Sequence, residues 1–278
     1  KADVISISRT WHLFQYNDAV LRADFERLTA GKKSQDITGN NTIIGNQIFV
    51  EPGARVEAAI INTTTGPVYI SNDAEIMEGA MIRGPFALGK HSTIKMGAKI
   101  YGATTIGPHC KVGGEVNNSV FQSYSNKAHD GFIGNSVIGS WCNMGADTNN
   151  SNLKNNYAEV KLWDYQTQKF IPTGLQFCGL IMGDHSKCGI NTMFNTGTVV
   201  GVNANIFGDG FPRNFIPSFS WGGAAGFVTY KLSDAMAVAI EVMQRRSIQL
   251  SDADKKILTT VYELSEKYRK GQLIFIHR

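Results

Sequence analysis

The six histidines and a run of asparagines are the side chains of this sequence best suited to move a proton or hold a polar ligand. His129 stands apart from the rest. It closes an irregular polar stretch from Asn117 to Phe132, N-N-S-V-F-Q-S-Y-S-N-K-A-H-D-G-F, with Lys127 and Asp130 close by in sequence. A general base needs a pKa near neutrality and freedom to reach its substrate, and a histidine ending a polar loop suits both needs. The other five read as less engaged. His12 falls in a helical stretch and His277 near the end of the chain, both as bystanders; His185 occupies a turn and is expected to be solvated. His91 and His109 are spaced to stack on one outer corner, but no third histidine falls in register and a neighbouring acid is lacking, so no metal site is assigned.

A repeat positions these residues. An aliphatic side chain recurs at every sixth position through Ile70, Ile76, Ile82, Leu88, Ile94, Ile100, Ile106 and Val112. Four places after each stands a mostly small residue: Ala74, Ala80, Phe86, Ser92, Ala98, Thr104, Cys110 and Val116. The register is read earlier at Ile44, Val50 and Val56, and returns at Met182, Cys188, Phe194, Val200 and Ile206. A period of six is neither helical nor a simple strand alternation. It fits a prism with three short strands to a coil, the aliphatic residue inward and the small one at the corner. Stacked coils would lie about 4.8 Å apart, joined by parallel ladders. Glycines near the turns (Gly79, Gly97 and Gly102 among them) suit backbone conformations that other residues resist.

Two interruptions carry the chemistry, because loops on a rigid scaffold are where function concentrates. One is Asn117–Phe132. The other, Asn149–Cys178, is asparagine-rich and then aromatic, and Lys161–Phe170 alternates around Gln166-Thr167 as a β-hairpin expected to project toward a neighbouring subunit through Trp163. The ends differ in kind. Asp3–Ile7 reads as the middle of a strand, and Ser8–Ala30 as one or two amphipathic helices ended by Gly31. After Gly210 comes an aromatic, Gly-rich tail, then helices over Leu232–Arg246 and Ser251–Lys270 with Ser/Asp start signals. The organisation is thus a mainly β, parallel β-helix over residues 42–210, an N-terminal strand and helical linker over 1–41, read as the remnant of a preceding domain, and a helical tail over 211–278.

Composition narrows the function classes. With 42% hydrophobic and 18% charged residues in 278, this is a folded chain rather than a disordered one. A net charge of +4 is too mild to indicate nucleic acid. No apolar run reaches the length of a membrane span, no signal-peptide pattern opens the chain, and the cytoplasm is the expected compartment. Cys110, Cys142, Cys178 and Cys188 show no C-x-x-C spacing and read as small buried residues of a reducing compartment.

The segment K-A-H-D-G-F-I-G-N-S-V-I-G-S-W-C-N-M-G-A-D-T-N-N-S-N (127–152) resembles the acetyltransferase half of the bacterial bifunctional UDP-N-acetylglucosamine pyrophosphorylase/glucosamine-1-phosphate N-acetyltransferases, within the hexapeptide-repeat transferases. From the histidine onward the spacing agrees without a gap, and the likeness spans the repeat from about Ile44 to Ile206. With its helical ends the chain looks most like the alternative form of that protein in Bacteroidetes-type bacteria. The resemblance implies a left-handed β-helix, a homotrimer with its site near a subunit boundary, and transfer of an acetyl group from acetyl-CoA to the amine of an amino-sugar phosphate. His129 matches the general base and Asn152 an asparagine near the reacting centre. Asn143 matches a sugar contact, with Phe132 and Lys127 beside the substrate. Ala146 matches a residue whose backbone borders the thioester, and Ile190 is placed with it on acetyl-CoA. Asn117 stands where the family has a phosphate-binding lysine, Phe132 where it has tyrosine, and Asp147 where it has glycine. Arg83, Lys95, Lys99 and Lys127 are the cations available for a phosphate. The family's nucleotidyltransferase half, with its Mg ion, would belong to the preceding domain, since no matching Gly-rich loop occurs in the first forty residues. Two other readings stay open: a non-catalytic β-helix that trimerises or regulates a nucleotidyltransferase, and a γ-carbonic-anhydrase-like metal enzyme, which lacks its three-histidine set.

Overall fold

A computed structural model describes residues 4–37 and 39–270. The chain is a mainly β parallel solenoid with four helices among the described residues. It divides into two compact units, residues 1–124 with 128–137, and residues 125–127 with 138–278.

In the first unit three parallel ladders form the walls. One stacks Thr42–Ile44, Ile60–Asn62, Met81–Arg83, Lys99–Tyr101, Glu115–Asn117 and Phe132–Gly134. A second stacks Ile48–Val50, Val68–Ile70, Phe86–Leu88, Thr104–Ile106 and Val120–Phe121, and a third Arg55–Val56, Glu75–Ile76, Thr93–Ile94 and Lys111–Val112. All eight aliphatic positions of the central repeat are buried, and so are all eight of the small residues. The hexad therefore marks an inward side chain in mid-wall and another at the corner.

The repeat misplaces one residue. Ile44 is exposed, and Ile43 pairs with inward Ile61, which pairs with inward Ile82. Two adjacent isoleucines offer the pattern no way to choose between them, and the strand pairing decides. Residues 4–7 form no strand and are exposed, while Asp3 and His277 lie outside the described residues. The helical linker is present as α1 (His12–Gln15) and α2 (Asn17–Thr29). Helix α2 is tied to the second ladder by Asn17, which donates to the Ala103 carbonyl at 2.6 Å and accepts from Thr105 Oγ1 at 2.9 Å.

In the second unit one ladder runs Asn126–Lys127, Asn143–Met144, Lys187–Cys188, Asn205–Ile206 and Ser220–Gly223. Another stacks Leu180–Met182, Thr198–Val200 and Phe215–Ile216, and Asn149–Asn150 pairs with Met193–Phe194. The parallel pairing thus continues past Gly210, because Phe215–Ile216 and Trp221 take wall positions. Helices α3 (Leu232–Gln244) and α4 (Asp252–Arg269) follow, α4 opened by a capping box between Ser251 and Asp254. They bury Ala235, Ala239, Met243 and Leu258 against Phe219, with Trp141 and Val202 packed alongside. No helix among the described residues is long and apolar enough to cross a membrane.

The hairpin expected around Gln166-Thr167 is formed, Lys161–Asp164 against Lys169–Pro172, with Asp164 opposite Lys169. Its Trp163 turns to the chain's own tail, while Phe170 opposite it and Tyr165 stay exposed. Trp163 stacks on Phe215 with ring centroids 4.1 Å apart, and Tyr268 of α4 meets it edge-on. Packing Trp163 on the chain's own tail covers part of the apolar surface that the sequence suggested for a neighbour.

Candidate active site

His129 is exposed in the turn that leads into Phe132–Gly134. That turn lies close on the preceding coil because of a glycine pair. A Cβ on Gly113 would stand 2.5 Å from the Ala128 carbonyl oxygen, and one on Gly114 2.9 Å from that of His129. Gly114 also has φ +70°, a conformation costly to other residues. The pair sits fifteen residues upstream of His129 in an unbroken stretch of repeat, so nothing in the sequence tied it to the histidine.

The stretch 117–132 does not leave the solenoid. Val116 pairs with Ile133 and Asn117 with Gly134, and Val120–Phe121 and Asn126–Lys127 take wall positions. It read as a loop because polar residues fill inward slots: Ser119, Ser125 and Lys127 are all buried. Ser119 donates to the Asn117 carbonyl at 2.8 Å and Ser125 to that of Gly139 at 2.6 Å, which removes the cost of burying a hydroxyl. Lys127 is 1% exposed, so its ammonium is not presented to a phosphate at the surface, contrary to the expectation from sequence. Phe132 and Asn117 are half-buried on one outer wall, Phe132 paired with Glu115.

In the second unit Asn143 is exposed on a wall, flanked in register by Asn126 on one side and Lys187 on the other. Lys187 donates to the His185 carbonyl at 2.8 Å, and burial lowers its pKa. Three residues past these wall positions, Ala146 and Ile190 come together: Asn191 N–H donates to the Ala146 carbonyl at 2.8 Å, and Ile190 is 68% exposed. A Cβ on Gly145 would stand 2.4 Å from the Ile190 nitrogen, so glycine is required for this approach. Asn152 is half-buried, its carbonyl accepting from Cys178 N–H at 2.9 Å. Sequence reasoning missed Asn126 and Lys187 as neighbours of Asn143. The insertion 149–178 separates Asn143 from Lys187 and hides their register.

His91 and His109 stack as their spacing implies, ring centroids 4.9 Å apart, and Tyr124 continues the column at 4.5 Å from His109. A neighbouring acid is present, contrary to the expectation from sequence: Asp73, one coil earlier, brings Oδ2 to 3.8 Å from His91 Nδ1. Among the described residues no three His, Cys, Asp or Glu side chains are grouped to hold a metal ion. The four cysteines are free and buried. His185 takes the turn position expected but is not solvated. It is 7% exposed, lies against Trp141 with nearly parallel rings, and its Nδ1 has no hydrogen-bond partner. Burial, with the Lys187 charge adding to it, pushes its pKa down to about 4. The unfolded chain therefore binds a proton below about pH 6.5 that the folded chain refuses until about pH 4. Stability should fall as pH drops through that window, by about 3 kcal/mol, and level off below it. Urea midpoints measured against pH for wild type and His185→Phe would check this, the variant losing that part of the slope.

No protein-family model and no curated protein matches the sequence. Solved structures do match. The polySia specific acetyltransferase NeuO is 14% identical, with 74% of this chain and 100% of that one covered, at a TM-score of 0.44. The UDP-N-acetylglucosamine acyltransferase of Arabidopsis is 14% identical over 87% of this chain and 96% of that one, at 0.28. That of Campylobacter jejuni is 16% identical over 84% and 83%, at 0.28. Likenesses this distant bear on neither substrate nor site residues.

Proposed function

We propose that this protein transfers the acetyl group of acetyl-CoA to the amine of glucosamine 1-phosphate or a related amino-sugar phosphate. The observation that carries the reading is His129: it matches the family base in an ungapped segment, and it is exposed on a turn held by tightly packed glycines.

The chemistry follows from the substrate. A sugar amine is mostly protonated at neutral pH and has no lone pair to offer. Neutral His129 takes that proton, and the free amine attacks the thioester carbonyl. A main-chain N–H of the Ala146 turn supports the oxyanion of the tetrahedral intermediate. His129 passes the first proton to water and takes the second from the attacking nitrogen; collapse breaks the carbon–sulfur bond, and the departing thiolate receives that second proton from His129. Asn143 hydrogen-bonds the sugar, Asn152 orients the amine, and Ile190 with Ala146 contacts the acyl carrier. Phe132 offers an apolar edge, and Asn117 a neutral polar one, to the acceptor.

The reading includes a homotrimer. The outer face of the first unit's first ladder exposes Ile44, Ile60, Met81 and Tyr101, an apolar strip suited to self-association. Sedimentation should give three times the chain mass, and a monomer at micromolar concentration would remove this part. The reaction is tested by incubating the protein with acetyl-CoA and glucosamine 1-phosphate and identifying the product by mass spectrometry. An N-acetylated sugar phosphate is expected, and unchanged substrates would leave a non-catalytic solenoid as the better account.

A further inference from the structure

The phosphate of such an acceptor needs a cation, and two of the obvious positions fail to supply one. Asn117 is neutral, and Lys127 is buried. The connection between α3 and α4 brings another. Arg246 follows the end of α3 and reaches the outer face of the wall that carries Asn143, its Nη2 standing 3.5 Å from Asn126 Oδ1. Asn126 pairs directly with Asn143, and Asn143 with Lys187. Neighbours across such a ladder lie about 4.8 Å apart, so Arg246 approaches the strand adjoining Asn143.

The state of the guanidinium matters as much as its place. A contact at 3.5 Å is at the outer limit of a hydrogen bond and engages one of five N–H donors. Arg246 is half-buried and forms no ion pair among the described residues. Lys187, on the other side of Asn143, is a weaker source of charge, since its ammonium is committed to the His185 carbonyl and burial lowers its pKa. An arginine stays charged at all relevant pH and presents a fork matched to two phosphate oxygens.

We propose that Arg246 is the residue that binds the phosphate of the acceptor whose sugar Asn143 holds, and so selects phosphorylated over plain amino sugars. The proposal rests on the acetyltransferase reading for the identity of the acceptor. In glucosamine 1-phosphate the phosphate and the amine are on adjacent carbons, so a cation beside the sugar contact also fixes the end of the sugar that reacts. The helix pair thereby becomes part of the site: its packing on Phe219 and Trp141 holds the connection against this wall.

The test is calorimetric titration of glucosamine 1-phosphate and of glucosamine into the full chain, for wild type, Arg246→Gln, Arg246→Lys and the neighbouring Arg245→Gln. Acetyl transfer to each sugar is measured in parallel. Arg246→Gln should weaken glucosamine 1-phosphate about ten- to hundredfold and leave glucosamine unchanged. Arg246→Lys should recover part of the loss, and Arg245→Gln should bind as wild type does. Equal weakening of both sugars by Arg246→Gln, or of neither, would overturn the assignment, the first marking Arg246 as a strut for the α3–α4 connection. Acetyl transfer with an unaltered KM in Arg246→Gln would overturn it and leave the reaction standing. Arg246-dependent binding without turnover would leave the anion site standing and overturn the reaction. A wild type that binds no glucosamine 1-phosphate overturns both.

Discussion

Replacing His129 by alanine should lower kcat/KM for acetyl transfer about a hundred- to ten-thousand-fold while leaving the Kd of acetyl-CoA unchanged. The size follows from its role. Removing the base strands the amine as an ammonium, and only the fraction that is already neutral can react. His129 is exposed on a turn, so the substitution removes no core contact and should shift stability by less than about 0.5 kcal/mol. A large rate loss at unchanged Tm is therefore the signature. A variant that keeps the rate would show that another group takes the proton.

Phe219→Ala should cost about 3–5 kcal/mol, the range for truncating a buried aromatic. Phe219 is 0% exposed and sits between the solenoid and the helix pair. Its ring meets Tyr262 of α4 edge-on at 5.0 Å, and the Arg269 guanidinium stands 5.9 Å from its centroid. Arg269 itself is 6% exposed and is held by the carbonyls of Ser218 and Tyr262 rather than by a carboxylate. Losing the ring therefore also loosens a buried charge, which is costly when its partners move. The expected result is selective release of α3 and α4. Hydrogen exchange should rise in residues 232–270, and proteolysis should begin in the connection 245–251. The aliphatic walls should keep their protection. The pH dependence owed to His185 should diminish in the same variant, since exposing its ring restores ordinary hydration. Uniform loss of protection across both units would contradict a helix pair that detaches on its own.

The solenoid was legible because its physics is local and repetitive. Each inward isoleucine or valine is buried by the same residue type one coil away, so burial leaves a period of six in the chain. The slip at Ile43-Ile44 and the stretch 117–132 show where that signal fails. In the first, two equal side chains compete for one inward slot. In the second, serines and a lysine go inward, and the serines' hydrogen bonds to backbone carbonyls are invisible in a hydrophobic pattern. His185 was misread for another reason. It occupies the same left-handed turn position as His91 and His109, with φ +60°, but its column is roofed by helices that begin almost fifty residues later. The aromatic hairpin was legible as a hairpin, but the packing of Trp163 was not, because it depends on Phe215 and Tyr268. His129, Asn143, Ala146 and Asn152 could be named because they stand in one ungapped segment. Lys187 and Arg246 could not, because an insertion and a helix pair separate them from Asn143 along the chain, nor could Asn126, because the stretch that holds it reads as a loop.

Thiol release from acetyl-CoA, followed with glucosamine 1-phosphate as acceptor in wild type and His129→Ala side by side, tests acetyl transfer with His129 as base most directly. Stoichiometric release by wild type, dependent on the sugar phosphate and lost in the variant, is the predicted result. No sugar-dependent release by wild type, or equal release by both proteins, would contradict it.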